Sequence, residues 1–193
     1  MDVEVQLEEQ PVERLDEHAS ISIAFMVEQV LTVSLADDGL GGVWLSEEPV
    51  STPYLKDYDA ERGEGPTRWL KRFDTTNWGL ITAYLGEVRV GGVVIALRSP
   101  DVHFLRGQSD LAAIWDIRIA PEHRSGGIGS RLFQAAENWS RERGCVDLKV
   151  ETQNINVPAC HFYVRMGCTL ASIDRLAYPD LPEEVQLVWH KKL

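Results

Sequence analysis

No stretch of this 193-residue chain approaches the roughly 20 consecutive apolar residues that a membrane-spanning helix needs. Its opening, Met1-Asp2-Val3-Glu4, lacks the basic-then-apolar order of a secretory leader. The expectation is a soluble, cytoplasmic protein with no membrane partner. Cysteine is scarce: Cys145, Cys160 and Cys168 form no C-x-x-C pair, and an odd count suits neither a disulfide framework nor a zinc site. No metal is expected, and the three thiols read as reduced and structural. Basic side chains are also few, 19 Lys+Arg against 30 Asp+Glu, and the net charge of −11 argues against nucleic acid as a partner. The deficit is uneven, with 16 acidic against 3 basic side chains in residues 1–66 but 14 against 16 in residues 67–193. The acidic part suits a cation and the near-neutral part an anionic cofactor. Internal repeats and low-complexity tracts are absent. With 44% hydrophobic residues, the chain can bury one core, so residues 1–193 are expected to form a single domain.

Hydrophobic periodicity supplies the elements. Val3 to Leu7 alternates as a strand, and Leu15 to about Phe25 suits a helix. Val27 to Leu35 and Val43 to Val50 read as a hairpin around Asp37–Gly42. Residues 51–68 are rich in charge, Tyr, Gly and Pro; they read as a loop with a short helix, and 51–66 is long enough to form a lid. Trp78 to Leu85 and Val88 to Arg98 flank the turn Gly86-Glu87, with Gly91-Gly92 marking a bulge or a close backbone approach. Leu111 to Ile119 is the next strand, Gly129 to Arg143 a helix stopped by Gly144, and Val146 to Glu151 a strand again. A helix of about 15 residues between these two strands makes them parallel. A helix from Asn156 to Gly167 and strands Thr169 to Leu176 and Val185 to His190 finish the chain. The class is α+β, a mixed sheet with one parallel pair.

The densest stretch is Asp116 to Ser130, where a buried strand meets a Pro-marked turn, an Arg, three glycines and a helix. Backbone N–H groups of about Ser125 to Ser130 precede the first helical bond, so they can point at a pyrophosphate with the helix dipole behind them. A dinucleotide fingerprint fails because Leu132 stands where the third Gly belongs, and a Walker loop fails for want of Gly-Lys-Ser/Thr. A Cys160 nucleophile is disfavoured because its sequence neighbour His161 points elsewhere on a helix.

Arg124-x-x-Gly127-x-Gly129 after a strand, followed by Asn156, Ala159, Phe162, Tyr163 and Gly167, resembles the GNAT superfamily of acyl-CoA-dependent N-acetyltransferases over about residues 78–178. Within it, the run Glu151 to Tyr163, Ile173-Asp174, Tyr178 and the turn Ala120 to Arg124 are similar to the streptothricin (nourseothricin) acetyltransferases. Trp115 departs from the acid that many relatives carry before Asp116, and Cys168 replaces a frequent Phe.

The resemblance implies a GNAT-like, mostly antiparallel sheet with flanking helices, whose parallel strands 111–119 and 146–152 splay apart, with acetyl-CoA (or CoA) as cofactor. Its pantetheine arm would pair with the backbone along Ile117, Arg118 and Ile119. The phosphates would lie on Arg124, Ser125, Gly126, Gly127, Ile128, Gly129 and Ser130, and Asn156, Ala159, Phe162 and Tyr163 would complete the cofactor contacts. Tyr163 matches the family's general acid. Glu151 is the preferred base, acting through water, and Asp116 is its rival or a grip for the acceptor ammonium. Trp44, Trp78 and Trp115 are candidates to line a cationic pocket. Superfamily membership makes a homodimer an expectation. The activity implied is direct acetyl transfer to a primary amine of a small cationic molecule, a streptothricin-type antibiotic first. The alternatives are a protein N-terminus or lysine as acceptor, and a CoA-binding sensor without turnover.

Overall fold

A computed structural model describes residues 4–60 and 65–193. The chain packs into two compact units, one of Met1–Ile23, Asp57–Val150 and Lys191–Leu193, the other of Ala24–Lys56 and Glu151–His190.

In the first unit, β1 (Val5–Gln10), β4 (Gly79–Leu85), β5 (Val88–Leu97) and β6 (Leu111–Ile119) pair antiparallel in the order β1-β4-β5-β6. β7 (Asp147–Gln153) joins β6 in parallel from Leu111↔Asp147 to Ile114↔Val150. These are the mixed sheet and the parallel pair that the βαβ spacing requires. The β4–β5 turn places Gly86 at φ 60, the positive value that a two-residue turn asks of its first central position.

Helix α3 (Ile128–Glu142) packs on β4, β5 and β6, burying Ile128, Leu132, Phe133, Ala136 and Trp139 along one stripe. Phe133 is fully buried, which stabilises by roughly 1.5–3 kcal/mol. Gly144, at φ 81, ends the segment in the left-handed conformation. The other face carries α1 (Leu15–Ala19), whose Leu15 joins Trp69, Trp78, Leu80, Val94, Leu111 and Ala113 in a core cluster.

The glycine pair explains how the sheet takes a helix on each face. A Cβ on Gly91 would meet Leu132 and Ile128 of α3 at 3.2 and 3.4 Å, and one on Gly92 would sit 2.6 Å from the His18 ring of α1. Both sequence readings of the pair hold, since the β4–β5 register also slips between Ala83↔Gly91 and Tyr84↔Arg89, leaving Val90 bulged.

The second unit contains a long ribbon, β2 (Phe25–Ala36) against β3 (Gly42–Lys56), helix α4 (Val157–Arg165), and the antiparallel pair β8 (Thr169–Asp174) and β9 (Gln186–Lys192), whose last residues return to the first unit.

Two expectations change. The helix foreseen over Leu15 to Phe25 stops at Ala19. The carbonyls of Ile21 and Ser22, which a continuing helix would use internally, accept instead from the guanidinium groups of Arg118 and Arg124 at 3.0 and 3.1 Å. The loop foreseen from residue 51 begins later, because β3 runs on to Lys56. Residues 50–53, closed by Pro53, bulge opposite Glu28 before Val27↔Tyr54 restores the pairing. Of the segment read as a lid, residues 61–64 lie outside the described residues. A short helix, α2 (Trp69–Arg72), follows.

Candidate functional site

The first unit supplies an open strand end, a turn and a helix start. Register along β6 slips between Val94↔Asp116 and Ile95↔Ile114, so Trp115 is bulged. The ladder to β7 ends at Ile114↔Val150, and among the described residues Asp116 to Ile119 pair with β5 alone. Ile117 and Ile119 are half-buried there, as a strand end that can accept an extended partner should be.

The chain then turns through a 3-10 segment, Pro121–His123. Arg124 clips this turn by donating Nε–H to the Ile119 carbonyl at 3.0 Å and Nη2–H to the Ser22 carbonyl at 3.1 Å. Ser125 and Gly127 adopt left-handed φ of 65 and 83. The first helical bond runs from Arg131 N–H to Gly127 O, so the N–H groups of Ile128, Gly129 and Ser130 precede it without an intrahelical acceptor. A Cβ at Gly127 would meet nothing within 4 Å, and one at Gly126 only the His123 carbonyl at 3.5 Å. The glycines therefore fill no packing need on that side. They leave open backbone beside a helix N-terminus, which fits a phosphate-bearing cofactor.

Asp116 is placed differently from the expectation. Leu111, Ala113 and Trp115 face the α1 side, and the bulge turns Asp116 and Arg118 to that same side. There Asp116 Oδ1 accepts from His18 Nε2 at 2.7 Å and from Arg118 Nε at 2.8 Å, and its Oδ2 from Arg118 Nη2 at 2.6 Å. Arg118 also donates to Asp59 Oδ2 at 2.6 Å and to the Ile21 carbonyl. Burial alone would push the Asp116 pKa up, but the Arg118 charge and hydrogen bonds outweigh it and hold the carboxyl well below the usual range. Such a group neither takes a proton near neutral pH nor is free to grip an ammonium. The Arg118 side chain is equally committed, which leaves only its backbone for a cofactor.

Trp115 and Trp78 also turn inward. Trp115 packs edge-on against Trp69 and Phe73, with ring centroids 6.2 and 5.0 Å away, and lies 5.4 Å from Trp78. Trp44 is exposed on β3.

In the second unit, Asn156 caps α4, its Oδ1 accepting from Ala159 N–H at 3.2 Å. Cys160, Tyr163 and Val157 form the buried face of this helix, while Phe162 is half-buried. The Tyr163 ring lies 5.4 Å from Phe162 and 6.5 Å from Trp189 of β9. The Cys160 thiol is pushed up to about 12 by burial, so it is not a nucleophile near neutral pH. His161 turns away to Glu47, at 2.6 Å.

Glu151, half-buried on β7, accepts from the Tyr178 hydroxyl at 2.6 Å and from Gln186 Nε2 of β9 at 2.8 Å. Burial raises its pKa, partly opposed by those two donors. Asn154, three residues on, is buried and acts as a backbone mimic on two sides. Its Nδ2 donates to Leu31 O at 3.1 Å, while its Oδ1 accepts from Val185 N–H at 2.8 Å. Beside it opens a cavity of about 900 Å³, walled by Val30, Thr32 and Tyr54 of the ribbon and by Asp174, Arg175 and Glu183. That volume suits a drug-sized molecule. The buried pair Lys56–Glu184, at 2.5 Å, secures the segment next to Glu183.

His18, Asp59 and Gln186 carry no motif, and nothing in the sequence pattern singles them out; Asn154 lies within the run Glu151 to Tyr163, but its packing role is not marked there.

The acetyltransferase (GNAT) family model matches residues 43–168. The chain is 32% identical to a streptothricin acetyltransferase of Escherichia coli over 86% of this chain and 84% of that protein. The structure resembles a nourseothricin acetyltransferase at TM-score 0.75 and 26% identity, covering 97% and 98% of the two chains. It also resembles a Bacillus anthracis str. Ames protein assigned as a streptothricin acetyltransferase and solved with acetyl coenzyme A, at TM-score 0.75 and 25% identity over 100% and 99%.

Proposed function

The chain belongs to the acetyltransferase (GNAT) family as an acetyl-CoA-dependent N-acetyltransferase, and we propose that its acceptor is a primary amine of a small cationic antibiotic of streptothricin type. Residues 1–193 act in this reading as one acetyltransferase domain. The observation that carries it is the cavity of the second unit, where the Asp174 and Glu183 carboxylates outnumber the single guanidinium of Arg175 and the Tyr54 ring adds an aromatic face. Such a wall favours a positively charged guest.

Acetyl-CoA supplies the activated acetyl group as a thioester. The chain holds its phosphates on the backbone of Ser125 to Ser130 and its arm along the backbone of Ile117 to Ile119. Asn156, Ala159 and Phe162 of α4 are the further residues that would touch the cofactor in this reading. Glu151 accepts the proton that the acceptor ammonium must lose, directly or through water. Its raised pKa brings it nearer to neutrality, where a general base works best. The Tyr163 hydroxyl holds the proton needed at the departing sulfur.

Release of free CoA thiol, measured against a panel of streptothricin, simple diamines and peptides with free N-termini, tests this reading. Turnover on streptothricin should exceed that on peptides by at least about tenfold, with Asp174→Asn/Glu183→Gln raising KM for the antibiotic more than it lowers kcat. Equal or better turnover on peptides would move the acceptor to proteins. Binding of acetyl-CoA without turnover on any amine would make the chain a sensor.

A further inference from the structure

We infer that Gln153, Tyr178 and Gln186 are positioning residues forming a relay of neutral donors that keeps the Glu151 carboxylate ionised and aimed for proton transfer; the inference rests on Glu151 being the base. The direction of the relay follows from its chemistry. Gln153 Nε2 donates to the Tyr178 oxygen at 2.9 Å, and the Tyr178 hydroxyl donates to Glu151 Oε1 at 2.6 Å. Burial, and then the Glu151 charge, raise the Tyr178 pKa, so the phenol keeps its proton and can only donate toward the carboxylate. From β9, Gln186 Nε2 donates to Oε2 at 2.8 Å.

Three separate stretches thus converge on one carboxylate. Gln153 and Glu151 share a face of β7, two residues apart. Tyr178 belongs to the segment after β8, where its carbonyl accepts from Leu181 N–H and the Leu181 carbonyl from Glu184 N–H. Glu184 is in turn fixed by Lys56. The groups facing Glu151 are the Tyr178 phenol and the Gln186 amide; no cation is among them in the described residues. That choice of partner matters. Two neutral donors occupy two of roughly four lone-pair positions on the carboxylate, leaving the others for a water or an amine. They favour the ionised form without clamping it as a guanidinium would.

The test is the pH dependence of kcat/KM for wild type, Tyr178→Phe, Gln186→Met and Glu151→Gln, each checked for Tm and for KM toward acetyl-CoA. A donor to the ionised form lowers the pKa, so its removal raises it. Tyr178→Phe should move the acid limb upward by about one pH unit and lower kcat about tenfold near neutral pH, with KM for acetyl-CoA unchanged. Gln186→Met should shift the limb in the same direction by less, and it reads the relay even if Tyr178→Phe folds poorly. An acid limb that stays put in both variants while Glu151→Gln is impaired would overturn the relay alone. Wild-type turnover by Glu151→Gln would remove the base assignment itself, and the relay with it.

Discussion

Asp116 and Glu151 are both carboxylates drawn away from water, yet their surroundings suit opposite purposes. Asp116, in the first unit, is met by a guanidinium and an imidazole that use both of its oxygens, and the full charge beside it holds it ionised well below the usual range. Glu151, in the second, is met by a phenol and an amide, and burial wins over them to raise its pKa. Withdrawal from water does not by itself mark a catalytic acid or base; the charge of the partner decides. A cation turns a buried carboxylate into a brace, and neutral donors leave it able to titrate.

The comparison is most directly broken by exchanging the two losses. Glu151→Gln should lower kcat by about 10²- to 10⁴-fold while Tm stays near wild type, as steady-state rates and a melting curve would show. A comparable fall in Tm would make Glu151 a brace too. Asp116→Asn should do the reverse, destabilising by about 3–5 kcal/mol because the buried Arg118 loses its principal partner, with kcat per folded molecule nearly unchanged; denaturant titration measures this. The pH dependence separates them further. The depressed pKa of Asp116 contributes stability that is present above the unfolded value of about 4 and lost as pH falls toward the folded one, so Asp116→Asn should flatten the acid side of the stability curve. The raised pKa of Glu151 has the opposite sign, its contribution being lost as pH rises, so Glu151→Gln should leave the protein as stable or slightly more so near neutral pH. Asp59→Asn should show the smallest effect, about 1 kcal/mol or less, because its side chain is 28% exposed and Arg118 retains Asp116.

What the sequence discloses about the two carboxylates differs in the same way. Strand and helix order, the parallel pair and the glycine-rich turn before α3 are legible because periodicity, glycine and proline act locally. Glu151 is legible as a candidate through the resemblance, since related acetyltransferases carry a Glu five residues before the same Asn, here Asn156. The inward turn of Asp116 is hidden, since strict alternation puts Trp115 and Asp116 on opposite faces, and only the one-residue bulge puts them on the same one. The early stop of α1 is hidden for a related reason. The carbonyls that end it are claimed by Arg118 and Arg124, about a hundred residues away. The backbone-bridging role of Asn154 and the bond from Gln186 to Glu151 are equally hidden, because a long-range hydrogen bond of a side-chain amide leaves no periodic trace.

The bulge at Trp115 makes β6 a strand with two reading frames. Up to Ala113 the odd-numbered residues look toward α1 and build the core; from Asp116 onward the even-numbered ones do. One residue of slack thus lets Trp115 join the core on the α1 side beside the Asp116–Arg118 brace, while among the described residues Ile117 and Ile119 pair with β5 alone. Deleting Trp115 would make Ile114 and Asp116 neighbours in a regular ladder and leave Asp116 and Arg118 on the α1 side, so what the extra residue adds to this strand is the Trp115 ring itself, packed on the same face.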